Sequence, residues 1–330
     1  MSTSTTLKTI SSLLNISVST VSRALKNHPD ISEKTKKKVQ ELASMMDYEP
    51  NAHAISLRTN TSKLLGLIVP TLSNYFYTSF LTVLEEESRK KGYTLITFQS
   101  GDNTDIELEN LRLCRINHIA GLFIAIGPET KNIDSFTRLE KNGVPVIFFD
   151  KVPEIENCNK VRMADEEAAV LAAESIVKSK RKKVLALFGN EAFSITKKRW
   201  NSFTDYLKKH APSIEVNSVF VSSTEEATIE TEKNIKKKNP DVIFCMSDEI
   251  LAGTMKAIKK LKLDVPKKIA VISISNGFIP QLFDPEITYI ETSGAELGKL
   301  AFNRLINYFN GNTSPQELIV PCRFIKGSSI

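Results

Sequence analysis

Ser19, Ser22, Arg23 and Lys26 recur at i, i+3, i+4 and i+7, the spacing that puts four side chains on one face of a helix. Two hydroxyls and two cations on one stripe suit phosphate oxygens and the edges of nucleic-acid bases. Val21, Ala24 and Leu25 fall on the other side, which predicts a buried face packing on Ile10, Leu13 and Leu14. At the start of the same helix, Val18 can touch a thymine methyl. Arg23 can hold a guanine through two parallel hydrogen bonds. Ser17, Thr20, Ser22 and Thr35 are hydroxyls near helix starts, where they and the local N–H groups can bind phosphate. The plainer alternative is a solvated helix face with ordinary surface serines and an arginine. Lys34, Lys36, Lys37 and Lys38 open the next helix. Cations there oppose the helix dipole by ~0.3–1 kcal/mol each. A phosphate backbone alongside would reverse that penalty; a solvated basic patch is the alternative.

A second set of candidates lies far down the chain. Arg199 follows Lys197-Lys198, near the start of a helix, and its five donors suit sugar hydroxyls, carboxylates or phosphate. Asp248 follows an apolar strand and can accept from hydroxyls, or simply cap the next helix. Asp150 ends another strand and is the weaker candidate.

These residues need elements to hold them. Leu7 to Leu14, then Asn15-Ile16-Ser17, then Val18 to Lys26 read as a helix-turn-helix. Ser32 opens a third helix, with Val39, Leu42, Ala43 and Met46 at helical spacing, and Tyr48-Glu49-Pro50 stops it. Asn51 to Thr59 follows, a segment too short for a stable isolated helix, and then a polar linker ending near residue 61. From Leu64 the pattern changes to nine apolar strands alternating with eight amphipathic helices, the first strand Leu64–Val69 and the last Ile287–Ile290. Such alternation indicates parallel sheets covered on both faces. Nine strands are more than one small sheet usually holds, so two Rossmann-like lobes with a cleft between them are expected. Ligands of open α/β sheets sit beyond the C-terminal ends of the strands.

Composition bounds the function. With 330 residues, 41% hydrophobic and 25% charged, the chain has the make-up of a globular protein of two to three domains. Residues 1–63 carry nine Lys/Arg against five acids, while the remaining 267 carry 35 against 33, so positive charge is concentrated in the head. Cys114, Cys158, Cys245 and Cys322 form no metal-type or C-x-x-C pattern and read as reduced thiols. No secretory signal or membrane-length apolar run is present, and a cytoplasmic location is expected. The nucleotide loops G-x-G-x-x-G and G-x-x-x-x-G-K-[ST] are absent, as are G-x-S-x-G and H-E-x-x-H. His28, His53, His118 and His210 are scattered, and the acids Asp102, Asp105, Glu107 and Glu109 read as surface. No catalytic site, metal or cofactor is expected.

The ordered set of short motifs adds a resemblance. It comprises Ser19-Thr20-Val21-Ser22-Arg23-Ala24-Leu25, Ile31-Ser32-x-x-Thr35, Tyr48-x-Pro50-Asn51, Gly66-Leu67-Ile68-Val69-Pro70, Asn74-Tyr75-Phe76-Tyr77, Arg199-x-x-Ser202-Phe203 and Ser247-Asp248-Glu249-x-x-Ala252-Gly253. Together these marks resemble lactose-repressor-type (LacI/GalR family) transcriptional regulators over essentially the whole chain. The resemblance implies a helix-turn-helix head over 1–50, and a hinge helix and linker over 51–61. It also implies a periplasmic-binding-protein-like body over 62–330 with lobes of about 62–162 plus 291–322 and about 163–290 plus 323–330. The body would form homodimers, so two heads would read a near-palindromic operator in double-stranded DNA, the matching Leu57 wedging into the minor groove beside Arg58. The cleft would take a small-molecule effector against Asn74, Phe76, Tyr77, Asp150, Arg199 and Asp248, a carbohydrate first and a purine or other metabolite second. Two departures stand out. Ile55 replaces a common Arg, and Ser273-Ile274-Ser275-Asn276 replaces a common Gly-Phe-Asp-Asp. A soluble sugar-binding protein, or a sugar or nucleotide enzyme on a Rossmann-like body, remains the alternative.

Overall fold

Thr6, Ser17 and Ser32 each precede an amphipathic run, and each accepts a hydrogen bond from the backbone N–H three residues on. The helices they cap are α1 (Leu7–Leu14), α2 (Val18–Leu25) and α3 (Glu33–Met45). Asn15 ends α1 in the left-handed region (φ 52°), a conformation asparagine tolerates, and so makes the tight turn into α2. Ile10, Val21, Ala24, Val39 and Ala43 form the core of this unit. Leu13 departs from the expectation: it is 62% exposed. The buried arc of α1 runs through Ile10, Ser11 and half-buried Leu14, and at about 100° per residue Leu13 falls outside it. Ser11 tolerates burial because its hydroxyl donates to the Lys8 carbonyl. Lys36 also departs from its reading as a free cation; it is sheltered, and its Nζ lies 2.7 Å from Glu33 Oε1.

The computed structural model describes residues 6–49, 62–130 and 133–330. The chain divides at Thr61/Ser62 into two compact units. The expected hinge over 51–61 lies outside the described residues.

The second unit holds twelve strands among its described residues, in two six-stranded sheets. The first sheet orders as β11-β5-β4-β3-β1-β2 and is parallel throughout. Its strands are β1 (Leu64–Val69), β2 (Thr94–Gln99), β3 (Gly121–Ile124), β4 (Val146–Phe149), β5 (Asn159–Met163) and β11 (Glu317–Val320). Helices α4 (Tyr75–Lys90), α5 (Thr104–Ile116), α6 (Asp134–Lys141) and α11 (Gly294–Phe309) cover it. The second sheet orders as β12-β10-β9-β8-β6-β7, parallel except where β12 runs against β10. Its strands are β6 (Lys183–Phe188), β7 (Glu215–Phe220), β8 (Val242–Cys245), β9 (Ala270–Ser275), β10 (Thr288–Glu291) and β12 (Arg323–Ile325). With it go α7 (Asp165–Lys178), α8 (Ser194–His210), α9 (Thr224–Lys238) and α10 (Asp248–Lys260). The chain passes between the sheets three times, after β5, β10 and β11. This is the two-lobed α/β body that the alternation predicts.

Three strands escaped the sequence reading: β5, β11 and β12. Asn-Lys-Val-Arg-Met in β5 looks polar, yet all five residues are buried. Arg162 donates to Glu317 (2.5 Å) and Glu166 (2.7 Å), and Asn159 accepts from the fully buried Arg304 (2.8 Å). Paired polar groups thus occupy positions where periodicity arguments look for apolar ones. Glu107 is a related correction. It is fully buried rather than on the surface, because its carboxylate accepts from Gly127 N–H and the Thr130 hydroxyl and so ties down the loop after β3.

Gly253 sets the approach of α10 to α9. A Cβ there would lie 2.4 Å from the Thr224 carbonyl and 2.8 Å from Ala227 Cβ. Gly253→Ala is expected to cost ~1–3 kcal/mol by overpacking. Denaturant unfolding checks this, and an unchanged midpoint would contradict so close a contact.

Candidate functional site

On the head, the stripe predicted from spacing is open to solvent. Val18 is 39% exposed, Ser19 and Lys26 are exposed, and the Arg23 side chain is 58% exposed. Among the described residues Arg23 reaches only Asp30, at 4.0 Å. Ser17 serves as the N-cap of α2, and its Oγ also lies within hydrogen-bond range of Ser19 Oγ (2.7 Å) and Thr20 Oγ1 (2.8 Å). Thr35 Oγ1 pairs with Ser32 Oγ (2.9 Å), and Ser22 is half-buried. The hydroxyls at the starts of α2 and α3 therefore have local partners and would have to share them with a phosphate. Leu57 and Arg58 lie outside the described residues.

In the body, a cavity of about 100 Å³ is walled by loops from the C-terminal ends of strands of both sheets. Asn74, Phe76, Tyr77, Asp150, Arg199 and Asp248 all line it. Asn74 caps α4, its Oδ1 accepting from Phe76 N–H (2.7 Å), and this turns the chain so that Phe76 and Tyr77 reach the cavity. Asp150 directly follows β4 with a left-handed backbone (φ 55°) and accepts from the Tyr77 hydroxyl (2.6 Å). Burial pushes its carboxyl up, and the Tyr77 bond opposes that shift. Burial, then the Asp150 charge, pushes the Tyr77 phenol well up, so it stays a donor.

Arg199 sits in the second turn of α8, only 5% exposed. Its Nε and Nη2 engage Asp165 Oδ1 (3.0 and 2.8 Å), and its Nη1 donates to the Met246 carbonyl (2.7 Å). Asp165, 1% exposed at the start of α7, is an interaction the sequence reading missed. Its only signal was an acid opening a helix. Asp248 does not cap α10; Ser247 does. The Asp248 carboxylate is left to accept from the Ser275 hydroxyl and from Asn276 N–H (3.0 Å). Ser275 thus binds the acid across the cavity floor rather than supplying one itself. Ile195, Met246, Glu249, Ile274 and Thr292 also line the cavity without having been singled out.

Burial pushes both Asp165 and Asp248 up to about 6 from an ordinary 3.8; Arg199 opposes the shift at the first, Ser275 at the second. A raised carboxyl binds its proton more tightly folded than unfolded. Its burial therefore weighs against folding above about pH 6 and is relieved as the pH falls toward 4. Between pH 7 and 5 the unfolding midpoint of the ligand-free protein should accordingly rise relative to that of Asp248→Asn. A relative fall would reverse the assignment.

The four cysteines are buried free thiols. Among the described residues no cluster of His, Cys, Asp and Glu could hold a metal ion, and no helix is long and apolar enough to cross a membrane.

Comparison with known proteins bears on both units. Residues 6–51 match the profile described as bacterial regulatory proteins, lacI family. Residues 62–328 match that of periplasmic binding proteins and the sugar binding domain of the LacI family. The chain is 27% identical over 319 residues to the NTD biosynthesis operon regulator NtdR of Bacillus subtilis, covering 96% of each. It is 23% identical over 304 residues to the transcriptional repressor PurR of Vibrio cholerae, covering 91% of this chain and 90% of the relative. The fold superposes on the Lac repressor dimer bound to operator and an anti-inducer with a TM-score of 0.87 at 19% identity, over 99% of both chains. It also superposes on a LacI-type regulator of Alkaliphilus metalliredigens complexed with D-xylulofuranose, with a TM-score of 0.72 at 25% identity, over 81% of this chain and 99% of the other.

Proposed function

Because the chain belongs to the LacI family of bacterial regulatory proteins, DNA-binding transcriptional repressors with a sugar-binding domain, we propose that the α2 face reads an operator while the cavity between the lobes takes the effector that sets operator affinity. The observation that carries this reading is the pairing, in one chain, of an exposed Ser19/Arg23/Lys26 stripe with a cavity where Asp150, Arg199 and Asp248 converge. Val18, Ser19 and Arg23 contact bases. Ser17, Thr20, Ser22, Lys26 and Thr35 contact phosphates, which fix register without reading sequence. The protein acts in the cytoplasm as a homodimer on a near-palindromic site, since a two-fold axis pairs two heads with two half-sites.

The effector is a small carbohydrate or a derivative. Carboxylates accept from ring hydroxyls, and Phe76, Ile195 and Ile274 offer an apolar wall to a ring face. The relative from Alkaliphilus metalliredigens, complexed with a pentulose, supports this class. An effector shifts the equilibrium only through its affinity difference between the DNA-competent and DNA-incompetent states, and the coupling is reciprocal. Genomic DNA retained by the purified protein identifies the operator. Calorimetry with candidate sugars, with and without that operator, then measures the coupling. Equal affinity in both conditions refutes the switch, and the absence of any protected palindrome refutes the operator reading.

A further inference from the structure

The effector cavity is small, and both of its rims are bridged from lobe to lobe. At one rim Tyr75, which opens α4 of the first lobe, stacks on Phe278 in the loop after β9 of the second. The ring centroids lie 4.3 Å apart and the planes differ by 13°. Beside this pair Asn276 Oδ1 accepts from the Gly294 N–H (2.9 Å) and the Ser79 hydroxyl (3.3 Å), both on helices of the first lobe. At the other rim the Ser194 hydroxyl, at the start of α8, donates to the Val152 carbonyl after β4 (2.9 Å), and Lys151 lies over the Phe193 ring at 3.8 Å. Asn74, Phe76, Asp150, Ile195 and Asn276, which flank or belong to these bridges, line the cavity. The space they enclose is about 100 Å³, against ~300–1,000 Å³ for ordinary small-molecule sites. A monosaccharide therefore does not fit until the lobes part, and parting them breaks contacts at a rim. The Tyr75–Phe278 pair is the bridge that folding explains least. Its residues stay 45% and 43% exposed, so neither builds a core. Its attraction needs ring contact, so it acts only while the lobes are together.

We propose that Tyr75 and Phe278 form a clasp that holds the ligand-free lobes shut, and that the clasp and a bound sugar exclude one another. This rests on the reading of the cavity as the effector site. It goes further by naming what an effector must displace before it can enter. While the clasp keeps most molecules shut, the apparent affinity for effector is the intrinsic affinity scaled by the open fraction. A stacked aromatic pair shifts such an equilibrium about 2- to 10-fold. Removing one ring therefore tightens effector binding, the reverse of what the loss of a ligand contact would do.

The test has two arms, both on the full chain. In the first, hydrogen exchange at the Gly294 amide reads lobe opening, because its acceptor, Asn276 Oδ1, lies in the other lobe. Phe278→Ala should speed that exchange about 2- to 10-fold, and Phe278→Tyr, which keeps a ring to stack, should exchange at the parent rate. The second arm is calorimetry with D-glucose, D-galactose, D-xylose and D-xylulose. Whichever binds the parent most tightly should bind Phe278→Ala about 2- to 10-fold more tightly still, and Phe278→Tyr as the parent does. An unchanged Gly294 exchange rate in Phe278→Ala overturns the clasp. Faster exchange with sugar affinity equal to the parent's, or weaker, overturns the exclusion of ligand by clasp and leaves the sugar-effector reading standing. Binding of none of these sugars to any of the three proteins overturns that reading and the exclusion with it, and the clasp then stands or falls on the exchange rate.

Discussion

Replacing Arg23 with glutamine should weaken operator binding by ~1–3 kcal/mol per head, about a 5- to 150-fold loss for each half-site. The fold should not suffer. The side chain is 58% exposed, and its acidic neighbour among the described residues, Asp30, lies 4.0 Å away and is itself 65% exposed. Pairs of that kind contribute ~0–1 kcal/mol. The loss should also be selective. Fluorescence anisotropy with the operator and with a scrambled duplex should show the ratio of the two affinities collapsing, because a bidentate contact reads a base. Lys37→Gln is the contrast. Lys37 is exposed on α3, and its removal should weaken both duplexes alike and lower the salt slope by about one. Should Arg23→Gln keep both affinity and selectivity, α2 is not the reading element.

Arg199→Met should destabilise the body by ~3–5 kcal/mol, a large share of the stability of an ordinary domain. The guanidinium is the partner of Asp165, which is 1% exposed, so the substitution leaves a carboxylate buried without a counter-charge and the Met246 carbonyl without its donor. Adding Asp165→Leu to Arg199→Met removes the stranded charge and should recover most of the loss, the sign of a coupled pair in a double-mutant cycle. Denaturant unfolding of the four proteins measures this. A single-variant loss below about 1 kcal/mol would mean that the pair carries no structural weight. The recovered double variant then serves a second purpose. If it folds but no longer binds effector, Arg199 spends a remaining N–H on the ligand as well as on Asp165.

The two units differ in how far they can be read from residues alone. The head is nearly transparent. Its helices are short, its caps are serines and threonines, and its contacts join neighbours in the chain, so periodicity and capping locate α1, α2 and α3. Of its two departures, Leu13 arises because an eight-residue helix leaves its buried arc under-determined until α2 and α3 pack on it, and Lys36 because a neighbouring acid shelters it. The central strands of the body were equally plain. β1, β6, β8 and β9 are apolar runs buried on both faces, and edge strands β2 and β7 kept enough apolar residues to be found.

β5, β11 and β12 were not plain, and the reason is electrostatic. β5 buries Arg162, whose cost is met in part by a partner far away in the chain, Glu317, 155 residues on. The cavity divides in the same way. Composition and position after a strand nominate Asp150, Arg199 and Asp248. Neither can say that Tyr77, 73 residues earlier, donates to Asp150, or that Arg199 is committed to Asp165, or that Ser275 takes the first hold on Asp248. Helix period, strand alternation and capping act over a few residues, so the order of residues alone determined the helices, the apolar strands, the basic face of α2 and the two-lobed class. Which buried charges are neutralised, and by which partners, was decided only when the two sheets brought distant loops together, because Coulomb and hydrogen-bond energies depend on distance in space and on the exclusion of water, neither of which is written in neighbouring residues.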